Sequence, residues 1–314
     1  MRHLQPSTNV MTGNSTQISE QNAPLISVIM ASYNYDRYLA EAIESVLRQS
    51  CGHWELLLVD DGSTDASWSI IERFAASDAR IRPLFHKNHA NRGLPETIRL
   101  GLGKARGEYV AFLESDDMWH ERCLEKRLSR LVQTGAGVVF NHVDLLPMLE
   151  ASVDGYAILV KAPRTEYGKT QRAFSAERTL LIRNIVPTFS CAMARKSAFT
   201  QCDFSTPVPR WLDWWLWLQI ARTESFAYIP EALGIWRIHS ASYNSKVSFG
   251  QYMRDSKAMW HGFRRLYRHG KGYADFAFLL RMPSWVRLCA RMLNMLCTDG
   301  VGGLVTRIRR RIRS

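Results

Sequence analysis

Two nearly unbroken apolar runs, Trp54-Glu-Leu-Leu-Leu-Val59 and Tyr109-Val-Ala-Phe-Leu113, each stop abruptly at carboxylates. A strand with one face in water alternates apolar and polar residues, so runs like these predict strands covered on both faces, as in a parallel sheet between helices. The surrounding periodicity agrees. Residues 26–31, 55–59, 80–85, 109–113 and 137–140 read as strands, and 38–48, 67–76, 94–104 and 121–134 as the helices between them. This βαβα order predicts an α/β fold with a mostly parallel central sheet flanked by helices.

The first run ends in Asp60-Asp61-Gly62-Ser63-Thr64-Asp65 and the second in Glu114-Ser115-Asp116-Asp117. In open α/β sheets, ligands bind outside the carboxyl ends of the strands. Side chains alternate along an extended segment, so Glu114 and Asp116 point to one face and can converge on one cation. Like charges this close are costly unless a cation or hydrogen bonds offset them. The plainer reading is turn chemistry, with Ser115 or an Asp capping a helix that starts near Trp119. Two such clusters at one sheet edge favour a ligand. Ala31-Ser-Tyr-Asn34 follows the first strand where a GxGxxG or GxxxxGK[ST] loop would stand, so dinucleotide and P-loop folds are not expected. A divalent metal near Asp116 is then the expected source of phosphate neutralisation.

The net charge of +12 is uneven: residues 253–314 hold fourteen Lys and Arg against Asp255, Asp275 and Asp299. Trp260, Phe263, Tyr267 and Trp285 are interleaved with arginines at helical spacing there. That pattern predicts basic amphipathic helices suited to an anionic membrane surface, the alternative being a helical appendage packed on the domain. No RNP, helix-turn-helix or finger pattern is present, so no nucleic-acid partner is expected. The six cysteines lack metal-binding spacing, and there is no run of eighteen apolar residues. The stretch before Pro24 is polar and lacks a signal peptide's apolar core, so a flexible arm over 1–23 is expected. The expected location is cytoplasmic, peripheral on the inner face of the cytoplasmic membrane.

Four segments in this order and spacing, Ile26-Ser-Val-Ile-Met-Ala-Ser-Tyr-Asn34, Leu58-Val-Asp-Asp-Gly-Ser-Thr-Asp65, Asn91-Arg-Gly93 and Phe112-Leu-Glu-Ser-Asp-Asp-Met-Trp119, resemble the inverting family 2 glycosyltransferases of the GT-A fold. The likeness runs from about residue 24 to about 242. It implies a Rossmann-like nucleotide-binding half over 24–142, an acceptor half with the catalytic base over 143–245, and a basic amphipathic helical extension over 246–314. It also implies transfer of a sugar from a UDP- or dTDP-linked nucleotide-sugar to an acceptor hydroxyl, using Mg²⁺ or Mn²⁺. A glycan or lipid-linked acceptor is expected from the basic tail. Tyr33 resembles the aromatic that stacks on the nucleobase, and Asp61 the carboxylate that accepts the uracil or thymine N3–H. Asp116 resembles the principal metal ligand, with Glu114 and Asp117 in support. Glu114 and Ser115 fall in the nucleotide-contacting part of the same motif, and Glu114 departs from a pattern that usually opens with Asp.

In the second half, Arg210-Trp-Leu-Asp-Trp-Trp-Leu-Trp-Leu-Gln-Ile-Ala221 reads as a helix with Asp213, Leu216, Trp217 and Ile220 on one face. A carboxylate on an apolar helix face needs a partner or a task, although a negative charge also suits a helix N-terminus. The family pattern is commonly Glu-Asp-Trp with the Asp as general base; Leu212-Asp213-Trp214 keeps the Asp, which marks Asp213 as the expected base. Ile235-Trp-Arg-Ile-His-Ser-Ala-Ser242 resembles the segment that brings a His near the metal and diphosphate, which marks His239 as a metal ligand and lets Arg237 approach phosphate. Trp211, Trp214 and Trp215 line the acceptor side or belong to the core. Residues 143–186 are poorly periodic and read as a variable connection, and 186–195 as a strand returning to the core. No motif encodes the sugar.

Overall fold

The computed structural model describes residues 25–148, 154–240 and 248–267. The expected N-terminal arm and the tail beyond Tyr267 lie outside them. The N-terminal half is built as β1 (Ile26–Ser32), α1 (Asp36–Leu47), β2 (Trp54–Asp60), α2 (Ser67–Ser77), β3 (Ile81–Phe85), α3 (Leu94–Lys104) and β4 (Tyr109–Phe112). After it come β5 (Met118–Trp119), α4 (Cys123–Thr134), β6 (Val138–Pro147), α5 (Asp154–Tyr167), α6 (Glu177–Leu180) and β7 (Ala192–Arg195). The last elements are α7 (Leu212–Ile220), β8 (Phe226–Ile238) and α8 (Phe249–Leu266).

Every residue of β2 and β4 is buried, which is what an unbroken apolar strand between two helical layers requires. Val28, Met30, Leu56 and Leu58 pack with Leu39 and Ile43 of α1, Ile71 of α2 and Leu124 of α4. Ile29, Leu57 and Val59 belong to the opposite core, with Ile98 of α3, Trp217 of α7 and Phe263 of α8. The strand order is β3-β2-β1-β4-β7-β6-β8-β5, with β1 parallel to both β2 and β4. The order of strand addition therefore reverses between β1 and β4, and the carboxyl ends of β1, β2 and β4 lie side by side at one sheet edge, where open α/β sheets form a ligand crevice.

The remainder of the sheet is mixed. β7 runs antiparallel to both β4 and β6, and β5 antiparallel to β8. β6 extends to Pro147, past the expected end at 140, because it pairs along β8. Its register slips between Asn141 and His142 and again before Asp144, and such slips erase the in-out alternation by which strands are recognised. Residues 154–167 form a helix where a loose connection was expected. Conversely, the expected strand over 186–195 is strand only from Ala192, since Phe189–Cys191 makes a tight turn with the Thr188 side chain accepting from the Ser190 N–H.

The expected tail begins inside the domain. Ser248 caps α8 by accepting from the Gln251 N–H, and Met259, Phe263 and Tyr267 are each only 1% exposed. Phe263 stacks on Trp215 with centroids 6.2 Å apart, Arg210 pairs with Asp255, and the Tyr267 hydroxyl donates to Glu177 at 2.6 Å. A buried Phe side chain stabilises by about 1.5–3 kcal/mol, so this face of α8 is committed to the protein interior and does not enter a membrane. Arg254, Lys257, His261, Arg264 and Arg265 form its outer face.

Candidate active site

The crevice is first shaped by locked loops. After β1, Asn34 adopts a left-handed φ of 58°, and its side-chain oxygen accepts from the Thr64 N–H at 2.7 Å while its own N–H donates to Ser63 Oγ at 3.0 Å. The Asp36 N–H donates to Asp65 at 3.0 Å. The turns after β1 and β2 are thus stapled together, and Tyr33 projects from them 45% exposed, which rules out the core reading of this ring.

Asp60 folds its own turn by accepting from the Gly62 and Ser63 N–H groups, both at 3.0 Å. Gly62 sits at φ +77°, and a Cβ there would lie 2.5 Å from the His89 carbonyl oxygen, so only glycine allows the loop before α3 to close over it. That closure brings the Arg92 and Gly93 N–H groups to Asp61, which accepts them at 2.7 and 2.9 Å, with His86 Nε2 at 3.6 Å. The Asn91-Arg-Gly93 motif therefore serves to hold Asp61. Each carboxylate oxygen keeps a further lone pair for a ligand N–H.

The second acid cluster is organised by different partners. Asp117, 1% exposed, accepts from Ser190 Oγ at 2.6 Å and Thr188 Oγ1 at 3.3 Å on one oxygen, and from the Arg237 N–H at 3.1 Å on the other. Burial, with the charges of Asp116 and Glu114, holds its carboxyl well above the usual carboxylate range. Both its oxygens accept from the protein, so Asp117 braces this segment whether or not it also reaches a metal ion. Glu114 is half-buried, and its N–H donates to the same Ser190 Oγ at 2.9 Å. Burial first, then the charge of Asp116, pushes the Glu114 carboxyl up to about 8. Ser115 is buried at 3% exposure. The capping alternative fails here, because Met118–Trp119 is a strand and α4 begins at Cys123 without a side-chain cap.

Strand β8 delivers the remaining groups. His239 is 3% exposed, with Nε2 3.0 Å from Asp116 Oδ2, while its Nδ1 has no hydrogen-bond partner. Its ring packs 4.7 Å from Tyr38 and meets Tyr35 edge-on at 6.0 Å. The Tyr35 hydroxyl is raised above its ordinary range, by burial first and then by Asp116 and Glu114, so it faces the same acids. Arg237 turns away from the crevice: it lies over the Tyr38 ring and donates to Glu41 at 2.6 Å.

Among the described residues no group of three or more His, Cys, Asp and Glu is arranged about one point. Asp116 and His239 do present an oxygen and a nitrogen to the same spot. A divalent ion commonly takes only one or two protein carboxylates and completes its shell from substrate phosphates and water, so this donor set fits one.

Asp213 lies in the first turn of α7, half-buried, and accepts from Asn184 Nδ2 at 2.7 Å. Burial pushes its carboxyl up to about 6 against the opposing pull of the Trp214 N–H and Asn184. Its charge adds, after burial and Asp116, to the rise of the Glu114 carboxyl. The tryptophans are mainly anchors: Trp214 Nε1 donates to the Leu180 carbonyl and Trp215 Nε1 to the Asp203 carbonyl, both at 2.6 Å.

Sequence reasoning missed Asn184, Thr188, Ser190, Tyr35 and Arg127. The last is 0% exposed and donates to Asn141 Oδ1 at 2.7 Å and to the carbonyls of Ser190 at 2.5 Å and Ala192 at 3.4 Å. Trp119 Nε1 donates to the same Ser190 carbonyl at 2.7 Å. The available signal was Thr188 and Ser190, two hydroxyls in an otherwise apolar stretch.

Residues 27–202 match the family described as Glycosyl transferase family 2, and this chain belongs to that family. Asp213 and His239 lie beyond the matched span. Among relatives, the putative teichuronic acid biosynthesis glycosyltransferase TuaG of Bacillus subtilis (strain 168) is 38% identical over 123 residues, 39% of this chain and 48% of that protein. The UDP-Glc:alpha-D-GlcNAc-diphosphoundecaprenol beta-1,3-glucosyltransferase WfgD of Escherichia coli is 28% identical over 207 residues, 65% of this chain and 73% of its own. The chain spans 48%, 44% and 39% of the length of three of its curated relatives, less than half of each. Of solved structures, S. aureus TarS 1-349 in complex with UDP-GlcNAc aligns with a TM-score of 0.57 at 16% identity, covering 87% of this chain and 81% of its own. The mannosyltransferase PcManGT from Pyrobaculum calidifontis in complex with GDP-Man and Mn2+ aligns at 0.59 and 16% identity, over 90% and 77%. At these identities the likeness is one of fold.

The raised Asp213 carboxyl has a kinetic signature. A reaction that needs this group ionised loses rate as pH falls through about 6, tenfold per further unit, and a pH profile of kcat/KM is expected to place its acidic limb there. A limb near the ordinary carboxylate range, about 4, would contradict the burial.

Proposed function

We propose that this protein transfers a single sugar from a UDP- or dTDP-linked donor to an acceptor hydroxyl, with inversion at the anomeric carbon. The observation that carries this reading is the elevated Asp213 carboxyl, held by Asn184 and coupled in charge to Glu114 after β4. In this reading the exposed Tyr33 ring stacks on the nucleobase, and Asp61, fixed by the Arg92 and Gly93 N–H groups, accepts the base N3–H. Glu114 and Ser115 complete the nucleotide side. Asp116 and His239 would hold a Mg²⁺ or Mn²⁺ ion, and Asp117 braces the segment that carries Asp116. An ion held there would supply positive charge to the diphosphate leaving group.

Asp213 takes the proton of the acceptor hydroxyl as its oxygen attacks the anomeric carbon. The sugar–phosphate bond breaks on the far side, and the nucleoside diphosphate leaves with the electron pair. A single displacement inverts the centre.

The diphosphoundecaprenol acceptor in the name of the E. coli relative supports a lipid-linked glycan as acceptor. No helix of the described residues is long and apolar enough to cross a membrane, and the outer face of α8 presents Arg254, Lys257, His261, Arg264 and Arg265. These support peripheral contact with an anionic membrane surface on its cytoplasmic side, made by charge and without insertion of α8.

Thermal unfolding with UDP, dTDP, GDP or CDP, each with and without Mn²⁺, tests the donor site. UDP or dTDP at a hundred times its binding constant is expected to stabilise by about 2.7 kcal/mol, a rise in Tm of roughly 5–10 °C, only with metal and not in Asp116→Ala. No shift with any nucleotide would overturn the reading. For the membrane contact, sedimentation with phosphatidylglycerol vesicles but not phosphatidylcholine vesicles is expected; equal binding to both would refute it.

A further inference from the structure

One short segment, residues 184–190, holds both sides of the crevice, and no motif drew attention to it. At its C-terminal end Ser190 Oγ and Thr188 Oγ1 donate to Asp117 at 2.6 and 3.3 Å, and Ser190 Oγ accepts from the Glu114 N–H at 2.9 Å. At its N-terminal end Asn184 Nδ2 donates to Asp213 Oδ2 at 2.7 Å. The orientation of that amide follows from its other contact: Asn184 Oδ1 accepts from the Val186 N–H at 3.1 Å, so the NH₂ group must be the part facing Asp213. The segment is anchored from beneath by the buried Arg127 guanidinium and by Trp119 Nε1, both on the Ser190 carbonyl.

We propose that Asn184 is a positioning residue for Asp213, fixing one carboxylate oxygen so that the other faces the acceptor hydroxyl, and that residues 184–190 tie this base to the donor-side acids as one unit. The inference rests on the reading of Asp213 as general base. An untethered carboxylate on the first turn of α7 samples rotamers that point away from the acceptor, and each misaligned population lowers the rate without touching the donor. Two consequences follow from the two ends of the segment. Loss of Asn184 acts on the chemical step, whereas loss of Ser190 acts on the loop that carries Asp116 and hence on donor binding.

The test compares Asn184→Ala, Asn184→Asp, Ser190→Ala and Asp213→Asn in the full chain, following release of UDP from its UDP-sugar donor in the presence of Mn²⁺ and acceptor. Asn184→Asp is isosteric and keeps the contact to the Val186 N–H while removing the donor, so it remains informative if the alanine variant folds poorly. Both Asn184 variants are expected to lower kcat by about 10–100-fold with KM for the donor within twofold, and Ser190→Ala to raise that KM at least fivefold. Unchanged kcat in both Asn184 variants, with Asp213→Asn inactive, would overturn the positioning role alone. A loss of kcat matched by an equal rise in donor KM would reduce Asn184 to general structural support and overturn it as well. Full turnover by Asp213→Asn would overturn the base assignment and, with it, this inference.

Discussion

Everything in this crevice depends on how a buried strand end carries Glu114, Asp116 and Asp117 at once. Removing a carboxylate from water is expensive unless it is hydrogen-bonded, paired or protonated, and this protein treats the three acids differently. Asp117 receives hydroxyl and backbone donors on both oxygens, Asp116 faces His239, and Glu114 takes the consequence as a carboxyl raised to about 8. The same economy recurs in the other cluster, where Asp60 folds its own turn and Asp61 is held by two N–H groups of a distant loop. In both clusters, hydrogen bonds from loops distant in sequence hold a carboxylate at the strand end.

The elements after β4 complete the arrangement around these acids. Strand β7 inserts antiparallel beside β4 and brings Thr188 and Ser190 under the acids, while β8 runs past β5 to place His239 on them. Helix α7 enters the core through Trp215 and Trp217, which fixes the turn that carries Asp213. Helix α8 seals that arrangement through Phe263 and the Arg210–Asp255 pair. Asp213 is therefore positioned by packing that extends well past the matched family span.

Much of the donor half was legible because local patterns coincide with global ones there. Unbroken apolar runs at 54–59 and 109–113 could only be strands buried on both faces, and the carboxylates after them had to lie at one sheet edge. The acceptor half was less legible for identifiable reasons. Strand β6 hides its length behind two register slips, Thr188 converts an expected strand into a turn, and the value of Asn184 depends on a partner 29 residues away. The bracing role of Asp117 was hidden because only tertiary contacts reveal that both its oxygens accept from Ser190, Thr188 and the Arg237 N–H. The amphipathic stretch over 253–267 is real, but its apolar side answers to Trp214 and Trp215.

A single displacement and a double displacement leave opposite configurations at the anomeric carbon, and the stereochemistry of the product reports on that directly. Proton NMR of the linkage formed from an α-linked UDP-sugar donor, or of the free sugar when water replaces the acceptor, distinguishes the outcomes. The role proposed for Asp213 predicts that the β-anomer appears first, with α arising only by later mutarotation of the free sugar. Initial formation of the α-anomer would require a second displacement or a front-face attack, and would contradict the role given to Asp213.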